Sequence, residues 1–306
     1  MMLMDYHKPV LLEETVVGLN IKPAGIYVDV TFGGGGHSRE ILSRLDENGR
    51  LLAFDQDPDA QANIIDDPRF TLIPENFRYL KRFLRFHGHK QVDGILADFG
   101  VSSHQFDQAE RGFSTRFNAE LDMRMNQKAG LSAKDLVNEA AEAELTQILR
   151  KYGELRAAAG MARLIVEYRA KEDIVDTHTL KEVIKRFIPR NKEHKVMAQV
   201  FQALRIAVND ELAALEEFLL QTQEVLKPGG RLSVISYHSL EDRLVKRFMR
   251  NMAQGDSHLP PGVPFTEDQL NKRLKLVGKA RKPSKGEVGI NPRARSAVMR
   301  VAEKLA

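Results

Sequence analysis

Four short apolar runs punctuate the first hundred residues, and two of them end on an acid. Ile26-Tyr27-Val28-Asp29-Val30, Leu51-Leu52-Ala53-Phe54-Asp55, Phe70-Thr71-Leu72-Ile73 and Val92-Asp93-Gly94-Ile95-Leu96-Ala97-Asp98 are nearly continuous in hydrophobicity rather than alternating. That pattern marks strands covered on both faces. Between them, 38–45 places Ile41, Leu42 and Leu45 on one helical face, and 77–87 is helical and basic. Strand–helix alternation of this kind predicts a parallel sheet flanked by helices.

From about Asp107 to Arg205 the pattern changes. No strand is predicted there, and the segment is rich in Ala, Glu, Leu and Lys. Two short helices are expected within 132–152, with others over 154–170, 179–187 and 195–208. Alternation then resumes with an amphipathic helix over 209–226, a Lys227-Pro228-Gly229-Gly230 turn, a fifth strand over 231–236 and a basic helix over 240–252. A Pro/Gly loop covers 256–264. Segments 273–278 and 296–302 can close the sheet as an antiparallel pair, joined by a loop rich in Lys, Arg, Pro and Gly. The expected organisation is an α/β domain in two parts, 1–106 and 206–306, with an all-helical insertion over 107–205.

Composition narrows the functional classes. The chain of 306 residues has no Cys, which excludes disulfides, thiolate metal sites and a Cys nucleophile and fits a reducing compartment. No apolar run approaches the roughly 20 residues of a membrane span, and residues 1–6 lack the form of a signal peptide. The expectation is a cytoplasmic protein without membrane contact. Net charge is only +4, but residues 271–306 carry eleven Lys/Arg against two Asp/Glu. A cationic end on a mildly acidic body suits a polyanionic partner or a solvated tail. Two further basic segments, Arg78 to Lys90 and Lys185 to Lys192, turn the balance toward phosphate-backbone contact.

Candidate chemistry gathers after the strands. Asp29-Val30-Thr31-Phe32-Gly33-Gly34-Gly35-Gly36-His37 follows the first strand and opens a helix. Glycines there let a ligand approach the backbone, and the helix start offers free N–H groups. A dinucleotide loop needs G-x-G-x-x-G, but its third glycine falls on Ser38 or Arg39. Asp29, Gly33 and Gly35 instead fit the D-x-x-x-G-x-G spacing of an S-adenosylmethionine (AdoMet) site. Asp55 suits a ribose diol, in AdoMet or NAD alike. Asp98 ends the fourth strand, the usual neighbour of the first, and is followed by Ser102, Ser103 and Gln105. Tyr237 and His238 follow the fifth, Tyr237 as a platform for a base and His238 as a hydrogen-bonding group. His7 lies near the start and can close over the site. No metal-binding spacing stands out, so a metal-free mechanism is expected.

These blocks resemble the bacterial small-subunit rRNA cytosine-N4 methyltransferases, the RsmH or MraW family, along nearly the whole chain. The similarity runs in order through His7-Lys8-Pro9-Val10, Thr31 to Ser38, Phe54-Asp55-Gln56-Asp57-Pro58, Asp98 to Ser103, Arg111-Gly112-Phe113-Ser114, Leu121 to Met125, Phe201 to Ile206, Ser236 to Arg243 and Asn291 to Ser296. The resemblance implies a Rossmann-like class I AdoMet-dependent methyltransferase sheet, with AdoMet held through Gly35, Gly36, His37, Asp55, Phe77, Asp98 and Gln105. It implies methylation of N4 of the cytidine at position 1402, in the decoding region of 16S rRNA, with the helical insertion helping to recognise the RNA. Lys185, Arg186, Arg190, Lys282, Arg293 and Arg295 are the candidate RNA contacts, within naked rRNA or the small ribosomal subunit. Many amino-methyltransferases carry Pro-Pro and an aromatic after the fourth strand; Phe99-Gly100-Val101 departs from that. Two alternatives stay open: a methyltransferase acting on another nucleic acid or a protein, and a non-catalytic RNA-binding assembly factor. A homodimer is compatible with the sequence.

Overall fold

The computed structural model describes residues 9–128, 130–255 and 271–306, apart from the side chain of Ser103. The chain forms two compact units, Met1–Gly100 with Ala213–Ala306, and Val101–Leu212.

The first unit is built on a seven-stranded sheet. Its helices and strands in the first half are α1 (Leu12–Gly18), β1 (Ile26–Asp29), α2 (Gly36–Ser43), β2 (Arg50–Phe54), β3 (Phe70–Ile73), α3 (Leu80–Phe86) and β4 (Val92–Asp98). Strand order is β3-β2-β1-β4-β5-β7-β6, where β5 is Leu226–Ser236, β6 Leu274–Leu276 and β7 Val298–Lys304. The first five strands run parallel, and β7 is antiparallel to both β5 and β6. Side chains alternate between faces with the period of two that a strand imposes. Val28, Leu52 and Ile95 join one buried cluster with Leu80 and Leu84 of α3. Tyr27, Leu51 and Leu96 join another with Val16 of α1 and Ile41 of α2. Two covered faces explain why these strands read as continuous apolar runs.

Strand order reverses between β1 and β4, which pair directly, Val28 opposite Ile95. Connections from the two strands leave to opposite faces, so a crevice opens at their carboxyl ends. Asp29, Asp55, Asp98 and Tyr237 all end or follow strands on that edge.

Three local expectations need correction. Lys227 to Gly230 is not a turn before β5 but a bulge within it: pairing steps from Val92 opposite Leu226 to Gly94 opposite Arg231, and Gly229 absorbs the detour with φ of 76°. The segment between β6 and β7 carries a short helix and a single 3-10 turn over Pro292–Ser296, started by Ser284 and Asn291 accepting backbone N–H groups. Helix α1 was not expected at all; seven residues are too few for a clear period.

In the second unit lie α4 (Ser103–Asp107), α5 (Ala133–Glu139), α6 (Glu142–Lys151), α7 (Ala158–Arg169), α8 (Thr177–Ile184) and α9 (Glu193–Asn209). It begins at Val101 rather than 107 and ends at Leu212 rather than 205. Leu145, Ile148 and Leu149 of α6, Met161 and Ile165 of α7, and Val200, Phe201 and Leu204 of α9 form its core. Arg111 is buried there, its guanidinium donating to the carbonyls of Arg124 and Met125. Between Glu211 and Val225 runs α10, whose Leu215, Phe218 and Leu219 cover the α3 face of the sheet. The basic helix α11 (Ser239–Gln254) adds Val245 and Met249 to the same cluster. Among the described residues no helix is long and apolar enough to cross a membrane.

Candidate active site

The loop after β1 is organised by Asp29. Its carboxylate, 1% exposed, accepts from Ser38 Oγ at 2.7 Å and from the Thr31 N–H at 3.1 Å. Gly33 and Gly35 both have positive φ, 50° and 75°, the region L side chains rarely adopt. At Gly36 a Cβ would lie 2.2 Å from Pro9 Cγ, and at Gly35 it would lie 2.7 Å from Arg39 Nη1. Arg39 Nη1 in turn donates to the Gly34 carbonyl. No side chain fits on these two glycines, so bare backbone leads into the start of α2.

His37 is the second residue of that helix and is buried. Burial pushes its imidazole down to about 4, so it is neutral at physiological pH. Nε2 stands 3.2 Å from the Val10 carbonyl, which only accepts, so Nε2 carries the proton. Its Nδ1, 3.7 Å from Asp98 Oδ2, is too far for a hydrogen bond and uncharged, so no ion pair forms.

Three carboxylates line the carboxyl edge of the sheet. Asp55 accepts the Gly33 N–H at 2.7 Å on one oxygen and the Asp57 N–H at 2.9 Å on the other. Asp98 accepts the Tyr237 hydroxyl at 2.8 Å, while its own N–H donates to Thr31 Oγ1 at 2.7 Å. Burial pushes Asp29 and Asp55 up to about 6 and Asp98 up to about 7, each against the pull of its hydrogen bonds. The charges of Asp29 and Glu241 raise Asp98 further. Burial and Asp98 push the Tyr237 phenol well above its ordinary value, so it stays a donor. Among the described residues, no lysine or arginine is an influence on the ionisation of these three carboxylates.

Tyr237 is the expected platform for a base; its hydroxyl holds Asp98, and its ring lies 3.3 Å from where a Gly100 Cβ would stand. His238 caps α11: its Nδ1 accepts the Glu241 N–H at 3.4 Å, and the Glu241 carboxylate accepts the N–H groups of Tyr237 and His238. Phe77, which opens a 3-10 turn four residues after β3, is half-buried against Phe99 and Phe218, with ring centroids 5.5 Å away in both cases. Ser102, Ser103 and Gln105 belong to the other compact unit. There Ser102 and Gln105 form a reciprocal capping box on α4, and Ser103 is its first residue. Lys185 pairs with Glu182, Arg186 stacks over Phe187, and Arg190 is exposed. In the first unit Lys282 and Arg295 are exposed and Arg293 is half-buried. His7 lies outside the described residues.

Residues that sequence reasoning passed over complete the arrangement. Thr31 anchors the Asp98 backbone, Ser38 anchors Asp29, and Glu241 anchors Tyr237. Only Glu241 had a local signal, standing three residues after His238 in the spacing of a capping box.

A seven-stranded doubly wound sheet with an antiparallel β7 and acids ending β1, β2 and β4 defines a Rossmann-like AdoMet-dependent methyltransferase. A sequence profile of the MraW methylase family matches residues 4–305, and the chain belongs to that family. It is 61% identical over 295 residues to the ribosomal RNA small subunit methyltransferase H of Flavobacterium psychrophilum, covering 96% of this chain and all of that one. It is 59% identical to the protein of that name in Flavobacterium johnsoniae, over 99% of both chains, and 57% identical to that of Christiangramia forsetii, over the full length of both.

The donor set fits AdoMet. Buried carboxylates without cationic partners among the described residues favour a ligand that brings positive charge, and AdoMet brings a sulfonium and an ammonium. A carboxyl whose folded value is raised stabilises the free protein below its unfolded value near 4, and this is lost as pH rises through 6 to 7. A cationic ligand lowers those values, so its binding releases protons. AdoMet affinity is therefore expected to rise about tenfold from pH 6 to pH 8. Calorimetry in two buffers of different ionisation enthalpy checks this; an affinity flat across that window would separate the donor from these carboxylates.

Proposed function

We propose that this chain transfers a methyl group from AdoMet to small-subunit rRNA, at the exocyclic N4 of cytidine 1402 in the decoding region of 16S rRNA. The observation that carries the reading is the Asp98–Tyr237 pair beside the glycine loop. The full-length identity with proteins named ribosomal RNA small subunit methyltransferase H supports the substrate class.

Bound AdoMet supplies an electrophilic methyl group on its sulfonium. Asp29 and the backbone of Gly33, Gly34, Gly35 and Gly36 hold its amino-acid end, with His37 neutral behind them. Asp55 takes the ribose hydroxyls, Phe77 takes one face of the adenine, and Gln105 is assigned to the donor. Asp98 accepts an N–H of the cytosine amine. That amine is a poor nucleophile because its lone pair is delocalised into the ring. An accepting carboxylate localises the pair and receives the proton lost as the N–C bond forms. Direct in-line transfer then depends mainly on positioning. The target base must leave its stack to reach the crevice. Ser102 and Ser103 are assigned to the target base, and His238 supports Tyr237 through the α11 cap. The helical unit, with Lys185, Arg186 and Arg190, recognises the RNA, together with Lys282, Arg293 and Arg295 near the C-terminus.

Tyr237→Phe removes the bond that lowers the Asp98 value. Turnover at pH 7 is expected to fall about tenfold, as less of Asp98 is ionised at that pH, and the rising limb of the pH–rate profile should move to higher pH. An unshifted profile would detach Tyr237 from the reacting carboxylate. The reading itself is tested by offering methyl-labelled AdoMet with undermethylated small subunits, naked 16S rRNA and duplex DNA in parallel. Label in subunit rRNA is expected; label confined to DNA or protein would overturn the substrate class.

A further inference from the structure

Helix α3 divides its charges between two surroundings. Arg78, just before it, pairs with Glu217 at 2.9 Å, and Lys81 pairs with Glu224, so one side is neutralised by α10. Arg82, Arg85 and Lys90 are exposed; Arg82 stacks over the Phe83 ring at 5.7 Å, and Arg85 helps Lys81 hold the Glu224 carboxyl below its ordinary value. Between them stands Phe86, 80% exposed, its ring edge-on to His87 at 5.3 Å. Leu80 and Leu84 of the same helix are fully buried, so Phe86 is not a core residue displaced by packing. His89 follows, its imidazole held below its ordinary value by burial and then by the positive fields of His87, Arg50 and Lys227. A protruding aromatic ring amid exposed cations is the surface on which single-stranded nucleic acid stacks its bases.

The position of this patch separates it from methyl transfer. Phe86 to Lys90 lead into the amino end of β4, whereas Asp98 ends that strand. At about 3.3 Å per residue the two ends lie roughly 20 Å apart. A group there cannot reach the reacting atoms, but a folded RNA has the dimensions to touch both ends of the sheet.

We propose that Phe86, with Arg82, Arg85 and Lys90, is a second RNA-docking surface, stacking an unpaired base of the substrate RNA while the cations hold flanking phosphates. This rests on the reading of the substrate as rRNA. The residues contribute to binding alone. Phe86→Ala is expected to weaken binding of a single-stranded 16S rRNA fragment about tenfold, and Phe86→Trp to preserve it. Arg85→Ala with Lys90→Ala should flatten the salt dependence of binding. In turnover with small subunits, Phe86→Ala should raise KM by a similar factor and leave kcat unchanged, and its exposure predicts an unchanged melting temperature. The binding experiment needs no donor and no turnover. Unchanged RNA affinity in Phe86→Ala therefore overturns the surface even if the enzyme methylates rRNA. Weakened affinity alongside a wild type that methylates only DNA or protein would overturn the substrate reading instead. A fall in kcat with KM unchanged would overturn the docking surface.

Discussion

Asp98→Asn is expected to lower methyl transfer about a thousandfold while changing AdoMet affinity by less than tenfold. The amide can still accept the Tyr237 hydroxyl through its oxygen. Its NH2 group, however, only donates, so the second position can no longer accept an N–H of the target amine. A positioned general base is worth about 10²–10⁴ in rate, and the loss falls on the step in which the amine sheds its proton. Backbone geometry should survive, because the Asp98 N–H keeps its bond to Thr31. Single-turnover kinetics at saturating donor, beside direct AdoMet titration, separate the two quantities. Equal losses in both would reduce Asp98 to a donor ligand.

Asp55→Ala should act in the opposite way, raising the AdoMet dissociation constant about a hundredfold with a smaller effect on saturated turnover. Hydrogen bonds to a charged group contribute about 1.5–3 kcal/mol each, and 1.4 kcal/mol is tenfold in affinity. Two ribose hydroxyls on one carboxylate therefore give an effect of this order. The substitution also frees the Gly33 N–H, which Asp55 binds at 2.7 Å, and so loosens the loop that meets the amino-acid end of the donor. AdoMet titration of the variant checks it, and an unchanged dissociation constant would remove Asp55 from the donor site.

Most of the sheet was legible because its strands are covered on both faces and so are continuous in hydrophobicity. Ile95, Leu96 and Ala97 are all fully buried, on alternate sides. The acids closing those runs were legible for the same reason, standing where the apolar pattern stops. What was not legible depends on partners distant in the chain. Thr31 holds the backbone of a residue 67 positions away, and Tyr237 reaches one 139 positions away. Spacing along the chain carries no trace of either. Ser38 is instructive: it broke the dinucleotide pattern, and its hydroxyl is occupied by Asp29 in the place where a glycine would have left room. The bulge at Lys227 to Gly230 reads locally as a turn because its Pro-Gly-Gly chemistry is that of a turn; only pairing with β4 on both sides makes it part of a strand.

The central claim is that this site methylates one cytosine amine of small-subunit rRNA. The most direct measurement is to digest 16S rRNA after reaction with isotopically labelled AdoMet and identify the labelled nucleoside and its position by mass spectrometry. The account expects a single N4-methylcytidine in the decoding region, present with the wild type and absent with Asp98→Asn. Label on a ring carbon, on ribose or on another base would contradict it.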